Sequence, residues 1–199
     1  NGINIGEIIN ALPRFEGIES TGPFHPDSIG YNPEVKPIEY DPVKAKMMLM
    51  HRGWQDMSAD ARGAENNVRK KNDKELELRM LVDERNETYK TIAQIIRQQL
   101  SEIGIKVIVL LYKDESELTP EYLDKNKPQA WLRLFSGLGF GGDDAIGSWY
   151  SLSSQEGKLW HYANDEVDQL FELGRITQDN LKRANIYKNI HKIIYDEQP

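Results

Sequence analysis

Between Leu76 and Leu111 the sequence passes from a strand pattern through a helix pattern to a second strand pattern, and that order leaves few folds open. Leu76, Leu78 and Met80 alternate with charged residues through Val82, the period of a half-buried strand. Tyr89, Ile92, Ala93, Ile96, Leu100 and Ile103 then recur on one helical stripe, and Gly104 stands where a left-handed residue would end the helix. Ile105 to Leu111 carries little polar interruption, as expected of a strand buried on both faces. The three elements predict a parallel pair joined by a right-handed crossover.

The flanking segments extend this unit. Ala130 to Phe135 reads as a third apolar strand, followed directly by the glycine-rich Gly137-Leu-Gly-Phe-Gly-Gly142 and by Asp143 and Asp144. A short helix is expected from Ile5 to Leu12, stopped by Pro13, and from Gly17 to Pro42 the prolines and glycines are too frequent for a long helix or a central strand. Asp41-Pro42 predicts an N-cap and first helical residue, with Val43, Met47 and Met50 on one face as far as Gly53. Met47, Met48 and Met50 beside Leu49 read as core rather than as soft-metal ligands. Gln55 to Lys74 reads as an exposed connection, with Arg69-Lys70-Lys71 a solvated loop. Two helices close the chain. One is expected to be capped by Asp165 with Val167, Leu170 and Phe171 inward, the other by Asp179 with Ala184, Tyr187, Ile190, His191 and Ile194 inward. The predicted fold class is α/β, a central mixed sheet flanked by helices.

Composition narrows the function. The 199 residues suffice for one domain or large lobe, and a net charge of -7 argues against a nucleic-acid backbone as partner. No cysteine is present, so disulfides and thiolate metal sites are excluded. His25, His51, His161 and His191 are scattered without a His-x-x-x-His pair, so no metal site is expected, and no cofactor. Asp143 and Asp144 are a poor catalytic pair, because adjacent carboxylates seldom lie across one substrate. An enzyme reading is therefore poorly supported by these residues, and the chain is expected not to be an enzyme. There is neither a long apolar run nor an export signal, and both ends read as the cut ends of a piece.

Several motifs occur in order: Gly22-Pro-Phe-His-Pro, Gly30-Tyr-Asn-Pro33, Tyr40-Asp-Pro42, Lys44-Ala-Lys46 and Gly53-Trp54, then Leu100-Ser-Glu-Ile-Gly-Ile-Lys-Val107, then Tyr162-Ala-Asn-Asp-Glu-Val-Asp168. This string resembles the family 5 extracellular solute-binding proteins, the dipeptide-, oligopeptide- and nickel-binding components of ABC importers. The resemblance implies that residues 1–199 are a single lobe of a type II periplasmic-binding-protein fold and a fragment of a longer two-lobed protein. It further implies capture of a small extended solute, above all a peptide, in the interlobe cleft and its delivery to an ABC permease in the membrane. The expected protein is a monomer with no nucleic-acid partner. It would be periplasmic or extracellular, with any signal or lipid anchor upstream of Asn1. Alternatives are a sensing or scaffold module on the same fold and a binder of a metal chelate.

The same resemblance supplies a site. Asp143 matches the family's amine-binding aspartate and Phe140 its preceding aromatic, while Gly139 and Gly141 would offer backbone to an extended ligand. An ammonium taken out of water needs a carboxylate partner. Phe140 stands where tryptophan is common, and Ile146-Gly147 where Asp-Pro is common, so an altered pocket rim is implied. On the residues alone, Asp143 or Asp144 could instead cap a short helix at Ser148-Trp149-Tyr150; with the resemblance, the ligand role falls to Asp143 and the cap to Asp144. Trp149 either lines the cleft or fills the core.

Overall fold

In a computed structural model that describes residues 1–12, 17–57, 67–133, 145, 149–151 and 162–198, Asn4 opens the first helix by accepting a hydrogen bond from the Glu7 N–H at 3.0 Å. This helix, α1 (Ile5–Ala11), is tied to its unit by Gln99, 4% exposed, which accepts from the Asn4 N–H at 2.9 Å and donates to Glu7 at 2.7 Å. The chain divides into two compact units, the first of Asn1–Gly17 with Glu39–Leu134 and the second of Ile18–Ile38 with Phe135–Pro199. In the first unit, Asp41 caps α2 (Pro42–His51) through the Lys44 N–H at 2.8 Å, with Pro42 at the first helical position as expected.

The outward face of α2 corrects the expectation of a methionine core. Val43, Met47, Met48 and Met50 are 67, 51, 54 and 59% exposed, while Ala45 is buried and Leu49 half-buried. Apolar residues occupy so many positions of this ten-residue helix that periodicity selects no single face. The packing surface chose the arc of Ala45 and Leu49.

Arg69 corrects a second expectation, that of a solvated loop, because it is only 4% exposed. Its Nε donates to the Ile103 carbonyl at 2.9 Å, Nη1 to the Trp54 carbonyl at 3.1 Å and Nη2 to Asp56 Oδ2 at 3.2 Å. The guanidinium fork thus serves two main-chain acceptors, one at the end of a helix where carbonyls lack intrahelical partners. Lys70–Lys71 forms β1, paired antiparallel with β2 (Lys74–Glu75) across Asn72 and Asp73, whose φ angles of 51° and 61° suit a two-residue hairpin turn. Arg69→Met is expected to cost about 2–4 kcal/mol, since it leaves buried carbonyls unpaired. An unchanged urea midpoint would show that water replaces the guanidinium without penalty.

The strand–helix–strand run forms as β3 (Glu77–Asp83), α3 (Glu87–Glu102) and β4 (Lys106–Tyr112), with β3 and β4 parallel from Glu77↔Lys106 to Asp83↔Tyr112. Asn86 caps α3 through the Tyr89 N–H. Gly104 has φ 86°, and a Cβ there would lie 2.7 Å from Arg69 Cγ and 2.9 Å from the Asn67 carbonyl, so glycine is required by both backbone and space. A helix not expected, α4 (Pro120–Asn126), is capped by Thr119 and leads to β5 (Ala130–Leu132). The sheet order is β4-β3-β5, all parallel; the antiparallel pairing lies in the separate β1-β2 ladder. One face of the sheet puts Met80, Val82 and Val107 against Ala93, Leu100 and Ile103 of the α3 segment, with Ala45. Alternation sends Leu81, Tyr112 and Trp131 to the other face.

The second unit is built on α5 (Asp165–Ile176) and α6 (Asn180–Glu197). The α5 cap is Asn164, one residue before the expected Asp165, which instead joins Glu166 and Asp168 at the positive end of the helix dipole. Asp179 caps α6 as expected. Val167, Phe171, Tyr187, Ile190 and Ile194 form the core with Phe24 and Ala145. A Cβ at Gly174 would meet the Tyr187 ring at 2.7 Å, so that glycine permits the close approach of the two helices.

His191, fully buried as the helical pattern predicts, fastens the proline-rich coil to α6. Its Nδ1 accepts from the Asn32 N–H at 3.0 Å, which leaves Nε2–H to donate to Thr21 Oγ1 at 3.0 Å and fixes a neutral tautomer. Phe24 and Tyr31 flank the ring at 5.9 and 5.2 Å. Burial lowers its pKa, opposed in part by hydrogen bonds to the Thr21 and Gly30 backbone. The unfolded chain therefore binds the proton first: the stability is complete above about pH 6.5 and is lost as pH falls from there toward the lowered folded value. Melting temperature should drop over that window, and His191→Gln should flatten the slope; an unchanged slope in that variant would assign the pH dependence elsewhere.

Candidate functional site

In an open parallel sheet the carboxyl ends of the strands are where ligands meet the fold, because loops diverge there and backbone groups are left unpaired. In the first unit that rim is formed by the residues after β3, β4 and β5. At the end of β3, Arg85 binds Asp83 in a bidentate pair, Nη2 to Oδ2 at 2.9 Å and Nε to Oδ1 at 3.1 Å. The Arg85 hydrogen bond holds the Asp83 pKa below the usual carboxylate range. After β4, Asp114 accepts from the Ser116 N–H at 2.9 Å, and hydrogen bonding to Ser116 lowers its pKa as well.

At β5 the Trp131 Nε1–H donates to the Tyr112 hydroxyl at 3.0 Å, with the two rings edge-on at 6.1 Å. Burial pushes the Tyr112 phenol pKa up, so it stays neutral. The Arg133 guanidinium lies 4.8 Å from the Trp131 ring centre and 3.3 Å from Glu115. The rim thus carries ionised carboxylates, two guanidinium groups and an anchored aromatic. This set suits noncovalent recognition of a polar solute. Among the described residues no group of three His, Cys, Asp or Glu is placed to hold a metal.

Of the sequence-derived site, only Trp149 is described. Asp143, Phe140, Gly139 and Gly141, together with Asp144, lie outside the described residues. Trp149 is half-buried, packs on the core of the second unit and meets Tyr162 edge-on at 5.4 Å. Sequence reasoning missed Asp83, Arg85 and Arg133. Asp83 and Arg85 stand just past the strand pattern ending at Val82, which was the available signal, whereas Arg133 lies within the expected strand Ala130 to Phe135.

Residues 1–158 match the family model described as bacterial extracellular solute-binding proteins, family 5 Middle. Among curated proteins, the glutathione-binding protein GsiB of Escherichia coli (strain K12) is 24% identical over 182 residues, covering 87% of this chain and 32% of its own length. The GsiB of Shigella dysenteriae serotype 1 (strain Sd197) aligns over the same shares. The chain thus spans about a third of the length of these relatives. Among solved structures, the oligopeptide-binding protein AppA from Bacillus subtilis, in complex with a nonapeptide, superposes with a TM-score of 0.78 at 22% identity, covering 100% of this chain and 38% of AppA. NikA from Brucella suis, in complex with Fe(III)-EDTA, gives 0.78 at 18% identity over 98% of this chain and 38% of its own. The fold is that of the type II periplasmic binding proteins.

Proposed function

Because this chain belongs to the bacterial extracellular solute-binding proteins, family 5, we propose that it serves as one ligand-binding lobe of a longer two-lobed protein that hands its solute to an ABC permease. The observation that carries this reading is the family match across residues 1–158, the stretch that contains the sheet and its rim. Closure of two lobes around the solute removes it from water, so each charge on the solute needs a partner on the protein. The proposed solute is a short peptide. Its free α-amino group pairs with Asp143, and Phe140 with the backbone at Gly139 and Gly141 lines the same pocket. Trp149 packs on the core of the second unit. Binding involves no covalent step.

Working outside the cytoplasmic membrane, in the periplasm or on the cell surface, fits the family. Among the described residues no helix is long and apolar enough to cross a membrane. Titration calorimetry on the intact protein tests the ligand class with paired peptides, free and acetylated at the N-terminus. The free peptides should bind and the acetylated ones should not. Equal binding of both would remove the amine from the recognition, and binding of neither would remove the peptide.

A further inference from the structure

The exposed face of α2 joins apolar side chains with cations in a chain of net charge -7. At about 100° per residue, Val43, Met47 and Met50 fall within roughly 60° of one another and form a stripe about 10 Å long. All three are more than half exposed. Lys46 lies about 40° to one side of the stripe, and His51 and Lys44 about 40–60° to the other. Arg52 follows at the C-terminal end, where Lys71 donates from Nζ to the Arg52 carbonyl at 2.9 Å. Lys44, Lys46 and Arg52 are exposed and make no ion pair or side-chain hydrogen bond among the described residues.

The acids nearest this face are Asp41, engaged as the α2 cap, Asp56, paired with Arg69, and Glu102, which borders a small hollow with Lys46 and Asp56; they lie beside the stripe rather than on it. In a chain of net charge -7, unpaired cations on both flanks of an apolar stripe select for an anionic occupant. The face is the convex side of a helix, whereas a partner helix is ordinarily received in a groove. Apolar side chains pointing outward with lysines at their flanks match a helix lying at a lipid headgroup boundary, where lysine stems stretch toward the phosphates.

We infer that the Val43, Met47 and Met50 face of α2, with Lys44, Lys46 and Arg52, docks the protein on an anionic lipid surface. The contact is peripheral and reversible, because three apolar side chains and a few cations cannot hold a protein irreversibly. It is independent of the ligand reading, since α2 is not part of the strand rim. Docking of this kind would keep a solute carrier near the membrane in which its permease resides.

Sedimentation of the intact protein with vesicles tests the inference. Vesicles of phosphatidylglycerol should carry the protein down, those of phosphatidylcholine should not, and added salt should weaken the association. Each lysine near an anionic surface contributes about a fivefold change in partitioning, so Lys44→Glu with Lys46→Glu should lower it more than tenfold. Met47→Asp with Met50→Asp should lower it comparably. Leu181→Asp, at an exposed apolar residue outside α2, should leave it unchanged. Unchanged melting temperatures in these variants would exclude misfolding as the cause. Equal sedimentation with both lipids, or parent-like binding by the α2 variants, would overturn the inference. So would failure of Met47→Cys in the intact protein to react with a maleimide, because the stripe would then be covered by another polypeptide segment.

Discussion

In the intact protein, Asp143→Ala is expected to lower affinity for a free-amine peptide by about 3–5 kcal/mol, the cost of leaving a desolvated ammonium without its counter-charge. At 1.4 kcal/mol per tenfold, that is a loss of roughly two to three and a half decades in Kd. Asp143→Asn should be nearly as damaging, because it keeps the shape and removes the charge. Folding should be almost unaffected in both variants. If Asp143 instead caps a helix, the pattern reverses: stability falls by about 1 kcal/mol and affinity barely moves. Calorimetry and thermal melts on the same two variants therefore separate the roles. Parent affinity in Asp143→Ala would eliminate the assignment.

The largest effect on stability is expected at Tyr187, where alanine should cost about 3–5 kcal/mol. Tyr187 is fully buried, with Phe24 at 6.1 Å, Phe171 at 6.4 Å and the Arg183 guanidinium at 5.6 Å from its ring. It therefore joins the coil, α5 and α6. A loss of that size is a large share of the total stability of a typical domain. Tyr187→Phe should cost only about 1 kcal/mol, since the ring remains and only the hydroxyl is removed. A comparable loss in both would move the critical interaction from the ring to the hydroxyl, and a small loss in both would mean that the second unit does not depend on this residue. Gly174→Ala provides an independent check, because the added methyl collides with the same ring.

The rules that succeeded on the bare sequence act over a few residues. Asp41 and Asp179 cap the helices expected of them, and Gly104 takes the left-handed conformation that its place after α3 predicts. The α3 stripe and the alternation in β3 gave the parallel pair, and the family motifs gave the fold. Thr119-Pro120, the start of α4, carried the same kind of signal and could have been read. Asp83 and Arg85 were identifiable only by their place at the end of a strand pattern, and Arg133 fell inside one, because their pairing requires the loops to be in place.

Other features were decided by tertiary structure, because the interactions responsible connect residues far apart in the chain. Arg69 has the composition of a surface loop and becomes buried because the Ile103 and Trp54 carbonyls come within reach of its guanidinium. The helical pattern predicts that His191 faces inward, but it does not reveal that Thr21 and Asn32 meet that side chain. On α2 the local pattern permitted two opposite faces, and burial of Ala45 against the sheet core turned the methionines outward. Local sequence determined which elements form, since caps, stripes and alternation depend on neighbours a turn or a pleat away. Which side of an element is buried, and which polar group finds a partner there, was determined only when distant segments packed together.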